Sequence, residues 1–354
     1  LHIRVAAIRS CWHLLPAVAW AVATAGAWPH ASHAQPLLAE VWADADMALA
    51  GETVTFASSD PFSLHDAAAG TALPRDVQAT LFVPDEAGAA RPVPAVVLLH
   101  GAGGVQAVRE TTYARQLAAQ GIAALVLDVF GNRRDVATGF TARVLNITEA
   151  MFLADAYGAL RYLDARADVD GERVALVGFS YGGMATVYAV YAQVAEIFAP
   201  GGPRFAGHAA YYAPCIAEFE RVQTTGAPVL MMWGTADAIV DPDRCAETIA
   251  DLRAGGSAVE AIAFDGAFHQ WDGGFATPRT IGRDLSPCAL RVAADATTRD
   301  VRLGLEMNGP LTRRAILATC VRNEPYMIGA DDAVRAQSTA ALSRFLNATF
   351  ALPQ

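Results

Sequence analysis

Ten residues constrain this chain more than any others: Val174-Ala175-Leu176-Val177-Gly178-Phe179-Ser180-Tyr181-Gly182-Gly183. An apolar run passes through Gly-x-Ser-x-Gly into a stretch whose composition predicts a helix over 185–197. A strand, a sharp turn carrying a serine, and a helix make the nucleophile-elbow pattern. The turn is tight enough that side chains at Gly178 and Gly182 would collide with backbone, and glycine removes the offending Cβ atoms. The serine Oγ then stands at the sheet edge, with the N–H of Tyr181 aimed at the same space. The bare pentapeptide also describes an ordinary strand-to-helix turn. Its setting favours the elbow, because residues 172–177 form an apolar strand-like run after a charged turn.

The segments around it follow an α/β order. Residues 53–56 and 77–83 alternate with period two, as half-buried strands do. A polar connection over 61–74 separates them, and residues 35–50 predict a short helix or an exposed arm. Residues 93–99 and 122–128 are continuous apolar runs of the kind found in buried parallel strands. Helices are expected over 107–120, 147–166, 243–254 and 330–350, and further strands over 205–212, 229–233 and 259–264. Strands alternating with helices imply a doubly wound, mostly parallel sheet flanked by helices, the α/β-hydrolase class of fold. Residues 273–324 break that rhythm with scattered Gly, Pro and Arg. This insertion before the last helix predicts a lid or pocket wall, or a disulfide-stapled excursion, since long loops in compact domains tend to be functional.

The N-terminus is set apart. Arg4 and Arg9 precede an apolar stretch over 14–27, and Ser32-His33-Ala34 is a small-x-small cleavage pattern. Residues 1–34 therefore predict a secretory signal peptide, too short in its apolar run to span a membrane. One domain is expected over 35–354, periplasmic or secreted. Beyond residue 34 the chain has Cys215, Cys245, Cys288 and Cys320. Four cysteines in an exported chain suggest disulfides, and three pairings exist. Cys215–Cys245 and Cys288–Cys320 are expected because each would join neighbouring segments. With no Cys-x-x-Cys pair, no metal site is expected.

Charge narrows the function. The formal net charge is −10, with no basic patch, which argues against nucleic acid. All 26 basic residues are arginine. A Ser–Lys dyad, a Schiff-base lysine and the lysine-bearing phosphate loop are thereby excluded. A serine hydroxyl needs a base, and histidine remains. Of His65, His100, His208 and His269, only His269 follows the last strand, as the nucleophile–acid–histidine order requires. His100 belongs to a His-Gly turn, and His208 lies inside a strand. The orienting acid should follow the strand that ends at Trp233. Asp237 fits, with Asp241 the alternative and the expected cap of the next helix. The oxyanion hole needs two backbone donors. Tyr181 supplies one and Ala102 the other, with Gly103 as the alternative. Phe130, Arg133, Met151, Phe268 and Trp271, along with Tyr181, are candidate pocket walls.

Together Leu98-Leu99-His100-Gly101-Ala102-Gly103-Gly104, Gly178-Phe179-Ser180-Tyr181-Gly182-Gly183, Gly234-Thr235-Ala236-Asp237 and Gly266-Ala267-Phe268-His269 resemble the dienelactone hydrolase family within the α/β-hydrolases. The resemblance spans about residues 76–350, with 330–350 similar to the family's closing helix. It implies hydrolysis of small-molecule esters or lactones without a cofactor. The name-giving members use cysteine as nucleophile, whereas this chain has Ser180 and no cysteine at that position. A peptidase or an acyltransferase could use the same three residues. A non-catalytic binding protein on the fold would be expected to lack one of them.

Overall fold

The structure is a computed structural model that describes residues 38–351. The expected export signal over 1–34 lies outside the described residues. In chain order the strands of the main body are β1 (Glu52–Asp60), β2 (Leu73–Phe82), β3 (Val93–Leu99), β4 (Ala123–Leu127), β5 (Val169–Phe179), β6 (Gly207–Tyr211), the short β7 (Ala217–Phe219), β8 (Val229–Gly234) and β9 (Val259–Phe264). All but β7 join one eight-stranded sheet in the order β1-β2-β4-β3-β5-β6-β8-β9. β1 and β2 are antiparallel, and β2 meets β4 antiparallel; every pairing from β4 to β9 is parallel. Every residue of β3 and β4 is buried, which is why those runs carry no polar alternation.

The helices are α1 (Leu64–Ala68), α2 (Thr112–Ala118), α3 (Phe140–Asn146), α4 (Glu149–Asp164), α5 (Tyr181–Tyr188), α6 (Ala192–Phe198), α7 (Pro242–Ala254), α8 (Pro310–Cys320) and α9 (Asp332–Thr349). Two expectations are corrected. The helix expected over 185–197 is two helices, because the Ala192 N–H leaves the helical ladder to donate to Gln223 O at 2.9 Å. The polar connection over 61–74 holds α1, whose cap residue Ser63 exchanges hydrogen bonds with Asp66. Residues 38–50 form an irregular arm, the second of the two forms expected there. Leu38 N donates to Asn347 Oδ1 and Trp42 Nε1 to Ser343 Oγ, so the arm lies along α9.

The insertion is ordered. It contributes β10 (Arg279–Asp284), β11 (Leu290–Val292), β12 (Thr298–Asp300), α8 and β13 (Arg322–Ile328). β13 pairs with β10 as a ribbon, so the expected boundary at 324 falls inside a strand. β11 is sandwiched between β12 and β7, which stitches the insertion to the body. Cys215–Cys245 ties the segment after β6 to α7, and Cys288–Cys320 ties the β10–β11 turn to the end of α8.

His208 in β6 is almost wholly enclosed, edge-on to Phe205. Burial pulls its imidazole down from 6.5 to about 3, and neither ring nitrogen finds a hydrogen-bond partner among the described residues. Between those values the unfolded chain binds a proton that the folded chain refuses. Stability from this residue is therefore complete above about 6.5 and falls as pH drops toward 3. Urea unfolding at pH 7 and pH 4 should show a loss of about 3 kcal/mol from this group. His208→Gln should remove that part of the acid slope while leaving the slope from carboxylates.

Candidate active site

Ser180 ends β5, in the middle of the sheet, and begins α5. Its backbone sits at φ 53°, ψ −110°, outside the regions open to most L-residues. A Cβ at Gly178 would come within 2.2 Å of Gly182 O, and one at Gly182 within 2.5 Å of Leu99 O. Neither position tolerates any other residue without moving backbone. Three hydrogen bonds clamp the turn: Ser180 N–H to Tyr211 O, Gly182 N–H to His100 O and Met184 N–H to Ser180 O.

Asp237 and His269 reach the same point from the carboxyl ends of β8 and β9. Asp237 is fixed by a turn in which its N–H donates to Gly234 O, while its Oδ1 accepts from Ile239 N–H. Its Oδ2 accepts from His269 Nδ1–H at 2.7 Å. The other ring nitrogen, Nε2, stands 2.9 Å from Ser180 Oγ, positioned to accept the hydroxyl proton. All three residues are buried. Asp241 lies elsewhere: it caps α7, accepting from the N–H groups of Asp243 and Arg244. The arrangement can move one proton from Oγ to Nε2 while the carboxylate faces the imidazolium that results.

Tyr181 is the first residue of α5, so its N–H has no acceptor within the helix. Ala102 sits in the turn that Gly104 N–H closes on Gly101 O, beneath which His100 Nδ1–H donates to Gly101 O. Ala102, Ser180 and Tyr181 line one cavity of about 440 Å³. Gly103 faces solvent. Of the expected pocket walls only Tyr181 lines this cavity. Arg133 is buried in ion pairs with Asp60 and Asp155. Phe130 packs against His100 and Phe152. Met151 is buried in the core on α4, Phe268 is half-buried outside the cavity, and Trp271 donates to Ser338 Oγ on α9. Among the described residues no cluster of metal-ligating side chains exists.

Two buried polar clusters were not anticipated from the sequence. Tyr212 stands edge-on to His269, with ring centroids 4.7 Å apart, and donates its hydroxyl to Asp272 Oδ1 at 2.6 Å. Arg109 donates to the same hydroxyl and pairs with Glu110. Burial pushes the Asp272 carboxyl above the usual range, with Arg109 and the Tyr212 bond opposing. The available signal was Asp272 three residues after His269, and the adjacent charges Arg109-Glu110 at the start of the helix expected over 107–120. The second cluster wires the insertion to the elbow. Arg313 of α8 donates to both oxygens of Glu149 and to the Tyr181 hydroxyl, which also donates to Ile147 O. The glutamate opening α4 was its one visible sign.

Comparison with known families matched the dienelactone hydrolase family over residues 77–296. No curated protein matched the chain. Among solved structures, a Klebsiella pneumoniae protein assigned to the dienelactone hydrolases is 22% identical, covering 62% of this chain and 88% of its own, with a TM-score of 0.46. A dienelactone hydrolase-like promiscuous phosphotriesterase from metagenomic libraries is 21% identical, covering 62% and 85%, with a TM-score of 0.47. An esterase from Thermogutta terrifontis is 18% identical, covering 55% and 79%, with a TM-score of 0.45.

The Arg313–Glu149 pair makes a stability prediction. Arg313→Met leaves a buried carboxylate uncompensated and should cost about 3–5 kcal/mol in urea unfolding. Adding Glu149→Met removes the orphaned charge and should restore most of that loss. A double variant no more stable than Arg313→Met would mean that the pair's charges are not what the site depends on.

Proposed function

The chain belongs to the dienelactone hydrolase family of ester hydrolases, and from that premise we propose that it cleaves carboxylic esters or lactones through an acyl-enzyme on Ser180. His269 acts as general base and Asp237 as the orienting acid. The observation that carries this is the unbroken relay Ser180 Oγ to His269 Nε2 at 2.9 Å and His269 Nδ1 to Asp237 Oδ2 at 2.7 Å. Oγ attacks the carbonyl carbon as its proton passes to Nε2. The carbonyl oxygen becomes an oxyanion between the N–H groups of Ala102 and Tyr181. Collapse expels the alcohol, which takes the proton from Nε2. Water then repeats both steps and frees the acid. For a lactone the leaving alcohol stays tethered, and the product is a hydroxy acid.

The serine departs from the cysteine of the family's name-giving members. A hydroxyl is the weaker nucleophile at neutral pH and depends fully on its base. This explains the weight that falls on holding His269. The protein also reads as exported. Two disulfides fit an oxidising compartment, and the leader pattern over 1–34 agrees with them. Among the described residues no helix is long and apolar enough to cross a membrane.

Turnover of a short-chain aryl ester and of an aliphatic lactone tests the assignment. Ser180→Ala and His269→Ala should each lower kcat by roughly 10⁴-fold or more, and Asp237→Asn by about 10⁴-fold, with KM moving little. Asp241→Asn should leave kcat unchanged. If Ser180→Ala retained wild-type turnover, the assignment would fall.

A further inference from the structure

The cavity beside Ser180 is larger than the reacting ester needs. It encloses about 440 Å³ and touches the nucleophile and both proposed oxyanion donors, while His269 lies outside its wall. The leaving alcohol must lie against His269 Nε2 to receive its proton. The group extending away from that nitrogen, into the cavity, is then the one retained on Ser180. Resting on the mechanism proposed above, we propose that this cavity is an acyl pocket for one neutral, apolar acyl group of medium length, and that the insertion sets the length.

The wall chemistry supports both halves. The body contributes Val144, Met184 and Ile216, and the insertion contributes Leu290, Met307 and Leu317. These six side chains gain by burying hydrocarbon and offer a charged group nothing in return. The wall's buried polar residues, Arg313, Glu149 and Tyr181, are engaged with one another. Arg313 Nε donates to Val144 O, Nη1 to Glu149 and Nη2 to the Tyr181 hydroxyl. Arginine and glutamate cancel in charge, so the interior presents no free ion to a substrate. At the mouth, Arg283 is held by Thr141 and lies over the Phe140 ring, and Arg314 is exposed to water.

Size follows from volume. At about 30 Å³ for each non-hydrogen atom, the cavity holds roughly fifteen such atoms. Part of that space belongs to the reacting carboxyl and part lies in the open mouth, which leaves room for an acyl chain of about six to ten carbons. β11 and α8, which carry Leu290 and Leu317, are anchored by β7 and by Cys288–Cys320. The insertion's side of the cavity is therefore fixed in position, and chains longer than the cavity must bend out of it.

A series of p-nitrophenyl esters from acetate to palmitate, hydrolysed by the whole protein, decides the matter because the alcohol is constant. The expected kcat/KM climbs with each methylene, by roughly fourfold at most, to an optimum between hexanoate and decanoate, and falls beyond it. A hemiester of the same length ending in a carboxylate should be at least tenfold poorer. Leu317→Trp, which takes volume from the insertion's side of the cavity, should move the optimum toward shorter chains. If that variant does not fold, Val321→Phe on the same wall serves, and the wild-type profile already decides. Brisk acetate cleavage with a flat or falling profile would overturn the pocket while leaving the ester hydrolase intact, as would a preference for the carboxylate-ended ester. Failure to cleave any ester of the series or an aliphatic lactone would sink the underlying mechanism and the pocket with it.

Discussion

The turn at Ser180 is the constraint on which the rest of the structure depends. A serine at φ 53°, ψ −110° is strained, at a cost on the order of 1–3 kcal/mol. Such a conformation persists only where its surroundings over-determine it. Here β5 holds one side and α5 the other, and the three clamping bonds run to Tyr211, His100 and within the elbow itself. Those partners are not bystanders. Tyr211 precedes the tyrosine that packs on His269, and His100 opens the loop that carries Ala102. The same contacts that hold the strain therefore place the groups around the hydroxyl.

The parallel sheet supplies the rest. Ligand sites on such sheets gather at the carboxyl ends of the strands, and β5, β8 and β9 each deliver one of the three residues there. Buried charge braces the side chains packed around them. Arg109, Glu110, Tyr212 and Asp272 brace the back of His269. Arg313 from the insertion and Glu149 of α4 brace Tyr181. Pairs of this kind add little to stability, yet losing one partner is costly, so they hold geometry more than they hold the fold together. The insertion is in this way structurally continuous with the elbow and also forms the wall of the cavity beside it.

Much of this was legible in the chain itself, for physical reasons that differ by region. β3, β4 and the elbow could be read because their patterns are local: a continuous apolar run, or glycines where any Cβ collides. Ser180, Asp237 and His269 follow from order along the chain, and the structure brings them together. The break between α5 and α6 could not be read, since it depends on a bond from Ala192 to Gln223, a tertiary contact that no local propensity encodes. Arg133 looked like a pocket residue because a loop arginine is usually exposed. Its burial depends on Asp60 and Asp155, distant in sequence. The second cluster escaped for the same reason, as Arg313 and Glu149 are 164 residues apart.

The central claim is that Ser180 carries the acyl group during turnover. Rapid acid quenching with a p-nitrophenyl ester, followed by peptide mass mapping, measures it directly. The account predicts a burst of nitrophenol matched by acylation of the peptide that contains Ser180, absent in Ser180→Ala. Full turnover with no acylated peptide, or with the acyl group on another residue, would contradict it.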